Sequence, residues 1–407
     1  MISDKVGFVL KKENIIQIYA GNLVIAIQME RLSFLILYLC RETCPKRIEN
    51  MSVNLLAIAL IIFLIGFAVS SICIPLVIKL AIKKRLLGEY GEGRHVHKGY
   101  VPRLGGIAVY AGFFFSQVFL IIAHHEQGEP LSKSYFLLLF ASTLLFLLGT
   151  LDDLVDIKAN MKFLIQLLVA FLVASVADVR IVSFYGLFGV EELPTWFSHL
   201  FSITVITFFI NAYNLIDGID SLSSSVGMYV LCSFGGVFLL NGAFTDSLIA
   251  FSVFGALLGF WFFNKPPAKI FMGDSGTLSM GLILAYFAIK ISNIPIDGEG
   301  LVSPVFAMVV LAYPVIDTLR VFTKRILKGV SPFTPDRNHI HHLLLELGFS
   351  HGKSTLLIVF CSIMLSCVAY ALRETPTTAF ATLVALILVV ANIPSFILKR
   401  RKKSKLL

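Results

Sequence analysis

Apolar residues run through this chain in long blocks, separated by short polar connections. A membrane-crossing helix needs roughly 17–25 mainly apolar residues. Eleven blocks match or approach that length: about 53–82, 104–123, 134–150, 163–178, 200–216, 225–241, 247–263, 278–290, 303–322, 354–372 and 377–398. The pattern predicts an all-α polytopic integral membrane protein with about 11 transmembrane helices. Composition agrees: of 407 residues, 57% are hydrophobic and 14% charged, with a mean hydropathy of +0.86. No soluble domain of this size is so apolar.

Residues 51–398 read as one transmembrane domain, and 399–407 as a basic tail. Residues 1–50 do not fit. Their one apolar stretch, Leu32 to Cys40, is too short to span, whereas Met51 opens a good first span. The stretch is expected to be an appendage or an over-long start. The six cysteines imply neither a disulfide nor a metal framework.

Loop charge sets the orientation. The loops after the first, third, fifth, seventh and ninth spans, with the tail, carry Lys83, Lys84, Arg103, Lys158, Lys162, Lys265, Lys269, Lys324, Arg337 and Arg400 among others. The opposite loops hold Lys133, Arg180 and Arg373. By the positive-inside rule the first set is cytoplasmic, with the N-terminus external and the C-terminus cytoplasmic. Because the +9 net charge is confined to these loops and the tail, no nucleic-acid partner is expected.

The ionisable motifs gather on that same side. Ionisable groups beside a bilayer are unfavourable, and their clustering at one face marks a function there. Gly99-Tyr100-Val101-Pro102-Arg103-Leu104-Gly105-Gly106 follows His97 and Lys98. Its glycines admit a ligand close to the backbone and its cations suit phosphate, and a loop touching anionic lipid headgroups fits the same residue types equally well. Asp152, Asp153 and Asp156 end the third span, with Lys162 opposite. Paired carboxylates want a cation, and such pairs recur where Mg²⁺ meets diphosphate. Asn214, Asp217 and Asp220 step by three and would share a helical face, unless Gly218 loosens it. Asp274, in Gly273-Asp274-Ser275-Gly276, is either a helix N-cap or a metal ligand. Asp317 is expected to pair with Arg320 on its own helix. Arg337, His339, His341 and His342 lack the His-Glu-x-x-His spacing of a zinc protease, which favours anion recognition.

In this order, between about residues 83 and 345, the motifs closely resemble the polyprenyl-phosphate N-acetylhexosamine-1-phosphate transferase family. The Arg337-x-His339-Ile340-His341-His342 form resembles its bacterial UDP-N-acetylglucosamine–undecaprenyl-phosphate subgroup. The resemblance implies transfer of N-acetylglucosamine-1-phosphate from UDP-N-acetylglucosamine to undecaprenyl phosphate, with release of UMP. It implies catalytic roles for Asp152, Asp153 and Asp217, and Mg²⁺ (or Mn²⁺) held by Asp274, Asn214 and Asp217. Lys98 and Lys162 would hold phosphate, and Asn214 and Asp220 would serve the nucleotide region. Arg337, His339, His341 and His342 would bind the diphosphate and sugar of the donor. The expected setting is a bacterial inner membrane, in the first membrane step of a surface polysaccharide pathway, with a homodimer left open. A direct attack and a route through a phosphorylated Asp both remain open, as does another UDP-N-acetylhexosamine donor. A transporter, the rival from another class, would place its ionisable groups near the bilayer midplane. Here they sit at helix ends.

Overall fold

The structure, a computed structural model, describes residues 7–11, 15–20, 23–28, 53–84, 101–128, 130–184, 186–294, 304–331, 336–372 and 375–404. Within the N-terminal stretch, β1 (Gly7–Lys11), β2 (Ile15–Ala20) and β3 (Leu23–Gln28) pair antiparallel in that order. Their β-branched content favours strands, so the all-α expectation holds for the apolar body and not for this segment.

From Val53 onward the regular elements among the described residues are helices: α1 (Val53–Lys84), α2 (Gly105–Gln127), α3 (Lys133–Val155) and α4 (Ala159–Phe171), which continues as a π turn over Leu172–Val176. Then come α5 (Thr195–Leu215), α6 (Leu222–Leu240), α7 (Phe244–Asn264) and α8 (Gly273–Ser292). The set closes with α9 (Pro304–Val310), α10 (Ala312–Leu327), α11 (Ile340–Glu346), α12 (His351–Ala371) and α13 (Pro376–Ser404). Among the described residues, ten helices are long and apolar enough to cross a membrane. The ninth expected span, 303–322, is the one that differs: it divides at Leu311 into α9 and α10. Pro314 has no N–H to donate to Val310, so one helical hydrogen bond is missing where the two segments meet. The basic tail also begins inside a helix, since α13 runs on to Ser404 and lays Arg400 over the Phe396 ring.

Helix α8 is the hub. Within its apolar window 83% is buried, and it packs on α2, α3, α5 and α6. Two glycines let backbones meet at one end of it. A Cβ on Gly106 would stand 2.0 Å from the Gly276 nitrogen, and one on Gly149 would stand 2.2 Å from the Asp274 carbonyl oxygen. With no side chain between them, the start of α2, the end of α3 and the start of α8 converge. The polar residues at those ends are brought together as a result.

Candidate active site

Helix α8 begins at Gly273, whose φ of +72° suits glycine. Its first amides need acceptors, and a different helix supplies them. Both oxygens of Asp153, on α3, are used: Oδ1 accepts from the Asp274 amide at 2.8 Å and Oδ2 from the Ser275 amide at 3.0 Å. The capping role open to Asp274 in the sequence is thus taken by Asp153. The side chain of Asp274 is released to face the cluster.

Asp156, with φ +53°, ends α3 in a left-handed turn and sends the chain back along α4. That reversal returns Lys162 to Asp152. The Lys162 ammonium lies 2.8 Å from Asp152 Oδ2 and 3.1 Å from Asp274 Oδ2, bridging the two carboxylates. The other oxygen of Asp152 accepts from the Ile157 amide at 2.8 Å. At the end of α5, the Asn214 amide nitrogen donates to Asp274 Oδ1 at 2.9 Å and to Thr277 Oγ1 at 2.7 Å.

Asn214, Asp217 and Asp220 do not share one helical face. Helix α5 stops at Leu215, and the turn that follows separates them. Asp217 accepts a hydrogen bond from the Ser223 hydroxyl. Burial pushes its carboxyl up to about 6; the Ser223 bond and the Arg103 charge oppose the rise, while Asp274 adds to it. Asp220 is bonded elsewhere than to Asp274. Its Oδ2 accepts from the Ala268 amide at 3.2 Å, and its own amide donates to His351 Nδ1 at 3.3 Å.

The histidine run forms a second cluster that adjoins the first. Asp317 pairs with Arg320 at 3.1 Å, as the sequence predicts, and also lies 2.8 Å from His339 Nδ1. His341 is fully buried, with Nδ1 3.1 Å from the Tyr313 hydroxyl. Burial holds its pKa down to about 3, so the ring is neutral at physiological pH. Its Nε2 points at Gly218, where a Cβ would approach to 2.3 Å. That contact joins the histidine run to the turn carrying Asp217. His342 is half-buried, and Arg337 is exposed. Burial works to raise the Asp336 pKa, but hydrogen bonds from Arg325 and Asn338 hold it well below the carboxylate range. Lys98 lies outside the described residues.

The donor set suits a hard cation. Asp274, Asp217 and Asn214 offer oxygen, and the carboxylates of Asp152 and Asp274 already share a positive group in the Lys162 ammonium. Among the described residues no three His, Cys, Asp or Glu side chains converge to enclose an ion. Mg²⁺ often takes only one or two protein carboxylates and completes its shell from phosphate and water. The residues present fit that mode. Both Asp274 oxygens are hydrogen-bonded, yet each keeps a lone pair for a metal.

Three participants escape a reading of the sequence alone: Thr277, Ser223 and Tyr313. Thr277 had a signal, since it lies three residues after Asp274 and therefore on the same helical face. Tyr313 had none.

Residues 135–292 match the description of glycosyl transferase family 4. An undecaprenyl-phosphate alpha-N-acetylglucosaminyl 1-phosphate transferase of Yersinia pestis is 30% identical over 293 residues, 71% of this chain and 77% of that protein. The chain belongs to glycosyl transferase family 4. A probable undecaprenyl-phosphate N-acetylglucosaminyl 1-phosphate transferase of Bacillus subtilis (strain 168) is 29% identical over 313 residues, 77% of this chain and 84% of that protein. A relative of the Yersinia name in Escherichia coli (strain K12) is 29% identical across 70% of this chain and 76% of its own length. The stretch matching glycosyl transferase family 4 runs from α3 to α8 and includes Asp152, Asp153, Lys162, Asn214, Asp217 and Asp274. The histidine run follows it.

Proposed function

We propose that the protein transfers N-acetylglucosamine-1-phosphate from UDP-N-acetylglucosamine to undecaprenyl phosphate, at the cytoplasmic face of a bacterial plasma membrane. The observation that carries this reading is the Lys162 ammonium set between Asp152 and Asp274 where α3, α4 and α8 meet. Carboxylates interleaved with a cation suit a reaction between two phosphate-bearing anions. The names borne by the relatives support the donor group and the acceptor. The basic loops support the side: a long isoprenoid stays in hydrocarbon with its phosphate at the interface, and a nucleotide sugar comes from the cytosol.

In the reaction, an oxygen of the lipid phosphate forms a bond to the sugar-bearing phosphorus of the donor. The bond from that phosphorus to the bridging oxygen breaks, and UMP leaves with the oxygen and its electron pair. Lys162 and Arg103 offset the repulsion between the approaching anions. When bound at Asp274, Asp217 and Asn214, Mg²⁺ supplies further charge neutralisation at the diphosphate. A phosphate monoester has its second pKa near about 6, so the nucleophile is largely ionised at neutral pH and needs little help from a base. Both oxygens of Asp153 are engaged by amides, and those of Asp152 by Lys162 and Ile157. With its nucleophile already ionised, direct displacement needs no aspartyl-phosphate.

Purified protein in nanodiscs, given UDP-N-acetylglucosamine, undecaprenyl phosphate and Mg²⁺, is expected to release UMP; a chelator or Asp274→Asn should abolish release while the protein remains folded. Without lipid acceptor, labelled UMP should not exchange into the donor. Near-normal turnover of Asp274→Asn would sink the metal assignment, and exchange without acceptor would sink direct displacement.

A further inference from the structure

Asp317 sits on α10 with its side chain wholly buried. The pair with Arg320 that its spacing predicts accounts for part of its bonding. The oxygen facing Arg320, Oδ1, also accepts from the Ile340 amide at 2.7 Å. The other, Oδ2, is 2.8 Å from His339 Nδ1 and 4.0 Å from His341 Nδ1. An ionised carboxylate only accepts hydrogen bonds, so His339 must carry a hydrogen on Nδ1. This fixes the tautomer of the neutral ring and leaves Nε2 as the one ring nitrogen that can meet a ligand. The same carboxylate holds the backbone beside the ring, because Ile340 opens α11 directly after His339. Arg320 braces the arrangement from the far side by donating to the Asn338 carbonyl.

We propose that Asp317 is a positioning residue of the transfer reaction: it holds Nδ1–H of His339 and the Ile340 amide so that His339 Nε2 is presented to the nucleotide sugar. In the neutral ring Nε2 is an acceptor and fits a hydroxyl or amide N–H of the donor substrate rather than a phosphate oxygen. The assignment rests on the proposed transfer and on the donor-binding role that the family resemblance implies for the histidine run.

The test uses the full chain in nanodiscs with UDP-N-acetylglucosamine, undecaprenyl phosphate and Mg²⁺. It compares Asp317→Asn, His339→Gln and the double variant for UMP release, with ¹⁵N spectra of histidine-labelled protein recorded alongside. Partners that orient a functional histidine typically contribute about 10–100-fold, so Asp317→Asn is expected to lower kcat/KM by that factor. The double variant should be no slower than His339→Gln alone. The His339 signals should move from the Nδ1–H to the Nε2–H pattern in Asp317→Asn. Should that variant fail to fold, Asp317→Glu supplies the kinetic comparison: it keeps an acceptor for Nδ1–H but displaces it by one methylene, so kcat/KM should fall while the Nδ1–H pattern stays. Losses that multiply in the double variant, or a His339 tautomer unchanged in Asp317→Asn, would overturn the proposal. If the unaltered protein releases no UMP, the functional reading fails by itself, and the spectra alone decide whether Asp317 sets the ring.

Discussion

Lys162→Met offers the sharpest test of the site, because the substitution keeps an unbranched side chain, only one atom shorter, and removes the ammonium. The ammonium is 2.8 Å from one carboxylate oxygen and 3.1 Å from another. At an effective dielectric constant of about 20, each contact carries a gross attraction of about 5–6 kcal/mol. Most of that offsets the desolvation of three charged groups, whose side chains are only 25%, 10% and 24% exposed. Breaking a buried pair from one side typically costs about 3–5 kcal/mol, because the abandoned charge remains. If the same ammonium steadies the transferring phosphate, about 3–4 kcal/mol of transition-state stabilisation goes with it. That corresponds to a fall of roughly 100–1000-fold in kcat/KM, at about 1.4 kcal/mol per decade. The assay is UMP release in nanodiscs under subsaturating donor, with a thermal melt of the same preparation. Lys162→Arg should recover part of the loss, since it keeps the charge but changes the donor geometry. Turnover of Lys162→Met within threefold of the unaltered protein, with a normal KM, would refute the reasoning.

Two further outcomes are expected. Because burial holds Asp217 protonated up to about 6, UMP release should climb as the pH passes through that value. Its effect on stability has the opposite sign: a raised carboxyl contributes fully below its ordinary value near 4, and that contribution is lost as pH rises through 6. Asp217→Asn should remove this limb from the melting temperature measured against pH, and a limb that persists would refute the attribution. Gly106→Ala forces a Cβ to within 2.0 Å of a backbone nitrogen on α8. The helix ends must part, so a loss of about 1–3 kcal/mol is expected in thermal unfolding; an unshifted melt would contradict the close approach.

Much of the site was legible in the sequence because its spacing is local. Asp152, Asp153 and Lys162 lie within one reversal of chain, and apolar blocks on either side place them at a helix end. What was hidden depends on contacts between distant segments. Nothing near Asp153 says that it serves amides 121 and 122 residues away. Asp317 read as a simple partner of Arg320, since an i,i+3 pair is visible by counting, whereas the bond to His339 is made by folding. The break at Leu311 was missed for a related reason. Hydropathy counts apolar residues and does not register the absent N–H of Pro314. The three histidines look alike in sequence. Their partners separate them: His341 meets Tyr313 and Gly218, whereas His339 is held by Asp317.

The borrowed cap on α8 has a bearing on biogenesis. Helices insert in order as the chain is made, so Asp153 reaches the interface before the amides that it will accept have been synthesised. Until α8 arrives, the carboxylate must rely on water or a proton for company. A nascent chain that stops short of Gly273 therefore has α3, α4 and α5 in hand but no assembled phosphate site. Under the proposed function, competence comes late in synthesis: α8 must dock before the Asp152, Lys162 and Asp274 group exists, and the histidine run is made later still.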